Sequence, residues 1–333
     1  MIDYLKQYDN ATILITGGAG SIGSNLAQKF LTGSPKRIII LDDLSSAYEW
    51  NIPKDPRITF IKGSVTDDTV LATAFSHKPD YVFHLAALFA NQNSIDHTQD
   101  DLMVNGMGTL KVLEHSRDNK VKRFIFASSG CSVYGSHAPL PLKEDFVSIH
   151  LDTPYQITKL LGELYCNFFY NYYKLPVTIP RFFNVYGPGE VPGKYRNVIP
   201  IFIYRALKGE KLRVFGTGQE TRDFTYVGDV VNGLVTAGVH EKALGEAFNF
   251  ASGIETDIKT LAETINTLAG NEAGLEITGA KRDWDQISRR RASIEKAQKL
   301  LGYEPHTNIN EGLENIIAWF KTNWDNIERS ASF

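Results

Sequence analysis

The sequence is poor in cysteine, lacks any long apolar run and carries little net charge. Its 333 residues include two cysteines, Cys131 and Cys166, without the spacing of a metal site, so we expect reduced thiols in a cytoplasmic protein. No apolar run approaches the roughly 20 residues of a membrane helix, and the N-terminal residues carry no secretion signal. The formal net charge of −3 provides no global basic field for nucleic acid. These absences predict a protein without membrane, nucleic-acid or metal partners.

Short apolar segments alternate with helical ones in the first half of the chain. The strand segments are continuous apolar runs, which is typical of parallel sheets that helices cover on both faces. They span residues 11–16, 37–42, 58–62, 81–85 and 123–127, with helices predicted over 21–31 and 102–117. The predicted fold is therefore α/β, a doubly wound Rossmann-type parallel sheet. After residue 180, clustered Gly and Pro and mixed short segments predict a second, smaller α/β lobe.

Glycines at positions 17, 20 and 23 follow the first predicted strand, and Ser21 opens the predicted helix. Glycine permits a tight turn and lets the backbone approach a diphosphate, while free N–H groups at the helix start point at phosphate oxygens. A glycine triplet alone is weak evidence, but its position between a strand and a helix is the context of a dinucleotide site. The residues expected to contact the cofactor here are Gly17, Gly20, Ser21, Ile22 and Gly23.

The second predicted strand ends in Asp42, nineteen residues after Gly23. A carboxylate in this position can accept hydrogen bonds from both hydroxyls of the adenosine ribose. Asp43 follows, and no Arg or Lys occurs between Asp42 and Lys54. A 2′-phosphate would meet carboxylates, so the sequence favours NAD over NADP.

Tyr155 and Lys159 are four residues apart on a predicted helix, which places them on one face. A protonated lysine beside a phenol favours the phenolate and is expected to lower the pKa of Tyr155 towards neutrality. Tyr155 is therefore a candidate general base that removes a proton from a sugar or alcohol hydroxyl. Because an isolated pair of this spacing usually forms an ordinary amphipathic surface, the assignment depends on the other motifs.

The glycine spacing together with Tyr155-x-x-x-Lys159 resembles the extended short-chain dehydrogenase/reductase family, and most closely its nucleotide-sugar epimerase and dehydratase branch. The resemblance covers nearly the whole chain. It implies an NAD-dependent enzyme in which Tyr155 deprotonates the C4 hydroxyl of a sugar and Lys159 also holds the nicotinamide ribose. Beside the cofactor it places Leu85, Ala86 and Ala87 after the fourth strand, and Asn105 on the following helix.

The same resemblance implies a nucleotide-sugar substrate, with a UDP-hexose favoured. Residues 180–189, 215–229 and 281–285 look like the segments that hold the sugar and the nucleotide diphosphate. An arginine offers two parallel donors to phosphate, and a carboxylate can accept from ribose hydroxyls. The substrate contacts implied by these segments are Asn184, Arg222, Arg282 and Asp285.

The resemblance also implies a serine hydroxyl at the reacting sugar oxygen, in the loop after the fifth strand. Counting forward from the strand selects Ser129, whereas counting back from residues 133–135 selects Gly130, so this loop is one residue longer than the family pattern. Ser129 is the preferred catalytic and substrate-binding serine because the strand defines where the loop begins. Ser128 and Ser132 stay as alternatives.

Loop residues 130–132, Gly-Cys-Ser, help to choose among the reactions of the branch. The resemblance implies an Asp-Glu pair here in 4,6-dehydratases and a Glu in uronate decarboxylases, and this sequence has neither. Epimerisation at C4 needs only oxidation, rotation of the 4-keto sugar and return of hydride to its other face, so it is the favoured prediction. A 4,6- or 5,6-dehydratase with other acids, a UDP-uronate decarboxylase and an NAD or sugar-nucleotide sensor stay open. Cys131 is either an acid or a packed thiol.

Three consecutive arginines, Arg289 to Arg291, follow the last nucleotide-binding segment. Charge runs are usually solvated, and a solvated helix start is one interpretation. The other is that Arg289 or Arg290 reaches the sugar or the phosphate and favours an anionic hexose. We assign Arg289 to the substrate site on this second interpretation.

The motifs divide the chain into two parts. An NAD-binding Rossmann domain is expected over residues 1–180, with about 226–254 returning to it through a strand near 247–251, and a sugar-nucleotide lobe over 181–225 and 255–333. The apolar faces of residues 102–117 and 154–174 resemble the helices that pair across a two-fold axis in this family. We therefore expect a homodimer joined by a four-helix bundle.

Overall fold

Seven parallel strands form the central sheet of the computed structural model, which describes residues 3–281, 285 and 287–333. The strands are β1 (Thr12–Thr16), β2 (Arg37–Asp42), β3 (Ile58–Lys62), β4 (Tyr81–His84), β5 (Arg123–Phe126), β6 (Val177–Phe182) and β7 (Ala247–Phe250). Their order is β7-β6-β5-β4-β1-β2-β3, and every pairing is parallel. A two-residue strand, Ser128–Ser129, extends the pairing along β6. The predicted Rossmann-type sheet is confirmed.

Both faces of the sheet are buried, as the continuous apolar strands require. On β2, Ile38 and Ile40 pack into one core and Ile39 and Leu41 into the other, because successive side chains of a strand point to opposite faces. One core contains helices α1 (Ser21–Leu31) and Val227–Ala237, and the other contains helices Asp68–Ser76, Thr109–Asp118 and Pro154–Tyr173. The sheet is therefore a three-layer, doubly wound structure.

The helix predicted over residues 102–117 consists of two parts. Its first section, Leu102–Gly108, is a π-helix, and the α-helix proper is Thr109–Asp118. Before it lie two short helices, Asn91–Asp96 and Thr98–Asp101. π-turns are rare and concentrate near functional sites, and this one carries Asn105.

The helix Pro154–Tyr173 begins where local chemistry places its start. Thr153 caps it by accepting from the Gln156 N–H, and Pro154 occupies the first turn, where its missing N–H costs nothing. It ends at Lys174, whose φ of 58° is left-handed. Its 20 residues make about five and a half turns, and Tyr155 and Lys159, four residues apart, are both buried.

A third apolar core lies beside the carboxyl ends of the strands, and we call this part the lobe. Its helices are Val198–Leu207, Ile258–Ala269, Ile309–Thr322 and Trp324–Ser330. Three two-stranded pairs accompany them: Leu212–Val214 with Leu275–Ile277, Thr221–Asp223 with Glu255–Asp257, and Val185–Tyr186 with Thr225–Tyr226. The remaining short helices are Tyr4–Tyr8, Glu49–Asn51, Gly130–Val133, Glu241–Ala243 and Glu295–Leu301. None of the helices in the described part of the chain is both long and apolar enough to span a bilayer.

Candidate active site

A cavity of about 1230 Å³ lies between the carboxyl ends of the strands and the lobe. This is the edge at which open α/β sheets bind their ligands. We call the wall built from the strand ends and the helix Pro154–Tyr173 the sheet side, and the wall built from residues 184–290 the lobe side. The residues predicted to bind a cofactor that line the sheet side are Gly17, Gly20, Ser21, Ile22, Gly23, Asp42, Leu85, Ala86, Ala87, Tyr155 and Lys159.

The glycine turn is packed too tightly for any side chain. Gly17 has a left-handed φ of 70°, and a Cβ there would lie 2.7 Å from the Ala86 nitrogen. A Cβ on Gly23 would lie 2.4 Å from the Gly17 carbonyl oxygen. No side chain caps the start of α1 at Gly20, so its first N–H groups face the cavity as an anion site. This bare turn fits the diphosphate of a dinucleotide.

Asp42 is held in place by the backbone around it. Its Oδ2 accepts from the Ala19 N–H at 3.0 Å and its Oδ1 from the Leu44 N–H at 2.9 Å. Burial raises the pKa of this carboxyl, while the two N–H donors and Arg196 act in the opposite direction. Each oxygen keeps a second lone pair for a ribose hydroxyl. Asp42 therefore fits the adenosine ribose of NAD.

Tyr155 and Lys159 face the cavity together, but their electrostatics differ from the sequence-based expectation. Lys159 Nζ donates to the Ala127 carbonyl at 2.9 Å and lies 5.6 Å from the centre of the Tyr155 ring. Burial raises the pKa of Tyr155 above its ordinary value, and Asp101 and Cys131 raise it further. Burial lowers the pKa of Lys159 to about 8. The predicted lowering of the Tyr155 pKa by Lys159 is wrong for this arrangement, because desolvation of the phenolate dominates.

The three loop serines have different partners. Ser128 donates to Glu163 at 2.5 Å, in a buried network that also contains Arg181. Ser132 is buried and donates to the Ser129 hydroxyl at 2.9 Å. Ser129 lines the cavity and, as an acceptor from Ser132, keeps its own hydrogen for a ligand. Of the three, Ser129 is the one whose donor is available at the cavity.

On the lobe side, the cavity brings together Asn184, Arg222 and Asp285. Arg222 and Asp285 form an ion pair at 2.6 Å, and the second oxygen of Asp285 is buried without a hydrogen-bond partner. Asn184 donates to the Asp223 carbonyl at 3.1 Å. Arg282, also predicted to bind substrate, lies outside the described residues.

Two predicted residues are not in the cavity wall. Arg289 is 61% exposed and pairs with Glu255 at 2.6 Å, so the structure does not bring it to the cavity, whereas the neighbouring Arg290 lines it. Asn105 is buried behind the wall, where its amide bonds to the Leu88 N–H and carbonyl. We therefore correct Asn105 from a cofactor contact to a residue that positions the segment after β4.

His84, at the end of β4, is a packed core histidine. Its ring bonds to Thr16 at 2.7 Å and to Thr109 at 3.0 Å. Burial and the nearby Lys159 lower the pKa of His84 to about 3, so the imidazole is neutral. It supports β1 and β4 beneath the cavity.

Glu190 is a cavity residue that sequence reasoning missed. Its Oε1 accepts from Asn197 at 2.9 Å, and its Oε2 is buried without a partner. Burial raises the pKa of Glu190 to about 7. The signal in the sequence was a single acid inside the Gly- and Pro-rich residues 187–193, a segment that we interpreted only as the start of the second lobe. Arg196 and Asn197 also line this wall.

Comparison with known proteins agrees with the site. The model of the NAD dependent epimerase/dehydratase family matches residues 13–251. A protein named UDP-glucose 4-epimerase from Mycolicibacterium smegmatis is 32% identical, over 92% of this chain and 98% of its own length.

Two solved structures share nearly the whole fold. Epimerase Mth375 from Methanothermobacter thermautotrophicus is 52% identical with a TM-score of 0.98, covering 99% of this chain and 98% of that chain. WbmF from Bordetella bronchiseptica, solved in complex with NAD+ and UDP, is 37% identical with a TM-score of 0.86, covering 98% and 96%. The predicted resemblance and the NAD dependence are confirmed at the level of the family.

Proposed function

Because the chain belongs to the NAD-dependent epimerase/dehydratase family, we propose that it is an enzyme that inverts C4 of a UDP-linked hexose. The observation that carries the proposal is the meeting of Tyr155, Lys159 and Ser129 in one cavity with the glycine turn and the Arg222–Asp285 pair. The glycine turn and Asp42 would hold NAD, which when bound would supply hydride acceptance and return and a positive charge that favours a phenolate.

In this proposal, the chain's own residues move one proton and hold one oxygen. Tyr155 takes the proton of the C4 hydroxyl and returns it after the sugar has turned. Ser129 donates to the same oxygen and so stabilises charge on it. Lys159, with its pKa lowered to about 8, is still mostly protonated at neutral pH and favours the phenolate.

The loop after β5 supports epimerisation over elimination or decarboxylation. None of residues 128–132 is an acid, and the described carboxylates that line the cavity lie elsewhere. They are Asp42, Asp43, Asp100, Glu190, Glu220 and Asp285. A C4 epimerase needs no second acid at the sugar, so the side chains present suffice.

UDP is the carrier we propose, because WbmF was solved with NAD+ and UDP together and the M. smegmatis relative is named for UDP-glucose. We further propose that about residues 1–180 and 226–254 hold the cofactor, while 181–225 and 255–333 hold the sugar nucleotide. The cavity between these two parts is large enough for both ligands, since single drug-sized ligands occupy roughly 300–1,000 Å³.

The proposal is tested by incubating the protein with NAD and, separately, UDP-glucose, UDP-N-acetylglucosamine, UDP-glucuronate and the TDP- and GDP-hexoses. NMR of the products distinguishes an inverted C4 from a lost water or a released carbon dioxide. We expect inversion of C4 in at least one UDP-sugar. If every sugar returns unchanged, or only elimination products form, C4 epimerisation is ruled out.

We also propose a homodimer, because an apolar face of two neighbouring helical segments is exposed. The exposed side chains on Leu102–Gly108 are Leu102, Met103 and Met107, and those on Pro154–Tyr173 are Ile157, Leu164 and Phe168. Apolar patches of this kind mark interfaces. A second copy would bury both segments as a four-helix bundle.

The dimer is tested by light scattering after size-exclusion chromatography. The wild-type chain should have twice its monomer mass, and the double change Leu164→Glu and Phe168→Glu should give monomers. Ile149→Glu, at an 86% exposed position away from these helices, serves as the control and should leave the mass unchanged. A monomeric wild-type chain at micromolar concentration would contradict the proposal.

A further inference from the structure

Arg290 is a buried cation in the cavity wall without a counter-ion in the described part of the chain. Its side chain is 6% exposed and lines the cavity. Nη1 donates to the Cys131 carbonyl oxygen, and Nε is buried without a partner. No carboxylate of the described residues forms an ion pair with it. Burying a charge is costly unless it is paired, so this guanidinium needs an anion.

Arg181, Arg222 and Arg289 show what a guanidinium paired with a carboxylate looks like here. Arg222 pairs with Asp285, Arg181 with Glu163, and the adjacent Arg289 with Glu255. Arg123 is buried without an acid and its Nε also lacks a partner, but its Nη1 bonds to one hydroxyl and two carbonyls, and it does not line the cavity. Arg290 differs from all of them by combining burial, a single carbonyl partner and access to the ligand space.

The backbone fixes Arg290 in this position. The neighbouring Arg291 carbonyl accepts from the Leu142 N–H at 2.8 Å, and the Ser293 N–H donates to the Leu142 carbonyl at 2.8 Å. The Ala292 N–H donates to Asp223 at 3.2 Å. These bonds hold the residues that follow Arg290, and the Arg290 N–H itself donates to the Thr221 carbonyl at 3.3 Å, so the guanidinium is presented by a fixed backbone.

The partner of Arg290 identifies which end of the substrate it faces. Cys131 belongs to the loop that carries Ser129, and it contributes electrostatically to the raised pKa of Tyr155. Asn184 also reaches the Cys131 sulfur, at 3.5 Å. Arg290 therefore stands at the reacting sugar, whereas Arg222 and Asp285 form the other polar cluster of the lobe side.

We propose that Arg290 binds a carboxylate on the hexose, so that the substrate class is a nucleotide-linked hexuronic acid. A guanidinium offers a planar pair of donors that matches a carboxylate. The inference rests on the proposed function and narrows it from a UDP-hexose to an anionic one. The alternative is that Arg290 binds the diphosphate of the nucleotide, and the experiment below distinguishes the two ligands.

The test compares UDP-glucuronate with UDP-glucose for the wild type, Arg290→Gln and Arg290→Lys, in both turnover and binding. The wild type should prefer UDP-glucuronate in kcat/KM, and Arg290→Gln should lose about 10- to 100-fold on it, as expected for a charge-assisted contact. Activity on UDP-glucose should stay nearly constant. Arg290→Lys should restore part of the preference because it retains the charge.

Arg289→Gln is the matched control, because it removes the same charge one residue away at an exposed ion pair. It should change kcat/KM for either substrate by no more than about threefold. The affinity for UDP alone, measured by calorimetry, should be unchanged in every variant and also shows that each variant is folded.

Three results would overturn the inference: a wild type that prefers UDP-glucose, an equal loss on both substrates in Arg290→Gln, or a loss of UDP affinity in that variant. Failure of the proposed function has a different signature. Conversion of UDP-glucuronate to a UDP-pentose with carbon dioxide would refute epimerisation and retain the anionic substrate. If no sugar is converted, the binding preference for UDP-glucuronate and its loss in Arg290→Gln still decide the role of Arg290.

Discussion

The two walls of the cavity differ in how completely their polar groups are satisfied. On the sheet side, both oxygens of Asp42 accept backbone N–H groups and Lys159 donates to Ala127. On the lobe side, Glu190, Asp285 and Arg290 each have a buried polar atom without a partner. Only five such side-chain atoms occur in the described residues, and three of them line this one wall.

This difference in hydrogen bonding shows which wall has its side-chain geometry set by the protein alone. Buried polar groups normally find partners, and those that do not are expected at functional sites. Under the proposed function, the backbone turn and the fixed Asp42 carboxylate of the sheet side hold a cofactor that stays bound. The unpaired donors and acceptors of the lobe side then serve the ligand that changes during the reaction.

The largest effect is expected on the sheet side, from Tyr155→Phe. Removing the hydroxyl takes away the proposed base while the ring still fills its place, so turnover should fall by about 10³- to 10⁴-fold. NAD and UDP affinities, measured by calorimetry, should stay unchanged. Tyr172→Phe, at a 70% exposed tyrosine of the same helix, is the control. A loss below about tenfold would show that Tyr155 is not the base.

The next largest effect is expected on the lobe side, where Glu190→Gln should change the stability of the protein in a pH-dependent way. Burial raises the pKa of Glu190 from 4.5 to about 7, so the wild type loses stability as pH rises through this range. Below this range the Glu190 carboxyl is protonated in both the folded and the unfolded state, so the loss of stability is absent. The neutral variant should therefore be more stable than the wild type by about 3 kcal/mol at pH 8 and by only about 1 kcal/mol at pH 5.

Urea unfolding at both pH values measures this difference in the free energy of unfolding. Glu314→Gln, at an exposed position of the helix Ile309–Thr322, should have the same stability as the wild type at both. Equal stability of Glu190→Gln and the wild type at the higher pH would mean that the Glu190 carboxylate is compensated. The lobe side would then be no less satisfied than the sheet side.

The smallest effect distinguishes the serines of the loop after β5. Ser129→Ala should lower kcat by about 10- to 100-fold, as for loss of one hydrogen bond to a charged oxygen, with little change in stability. Ser128→Ala should instead lower the free energy of unfolding, since it leaves part of the Glu163 network unpaired. Steady-state kinetics and urea unfolding on both variants separate the loss of kcat from the loss of stability. A larger kinetic loss in Ser132→Ala than in Ser129→Ala would reverse our assignment.

The contrast between the walls also explains what the sequence could predict. Strands β1 to β5 and the helix Ser21–Leu31 follow from apolar runs and a glycine turn, which are local signals. Strand β6 was not predicted, because Pro180 and Arg181 interrupt its apolar run. In the fold Pro180 lies opposite Phe248 of β7, a partner that no local pattern reveals.

The site shows the same division. The sheet-side contacts lie on contiguous motifs, so they could be assigned by position alone. The choice between Arg289 and Arg290 depends on tertiary hydrogen bonds of an irregular segment, such as Thr221 N–H to the Ser288 carbonyl at 2.8 Å, and has no periodicity to guide it. The shift in the Tyr155 pKa likewise depends on burial, which Tyr-x-x-x-Lys spacing does not encode.

Strand β7 is synthesised long after its neighbour β6, and this order matters for the nascent chain. Because β7 pairs with β6, the outer edge of β6 stays without β7 until residues 247–250 have left the ribosome, although six of the seven strands are complete by residue 182. An unpaired parallel edge is a template for association between nascent chains. The last strand therefore covers β6 and becomes the edge of the sheet itself, well after the cofactor turn has been made.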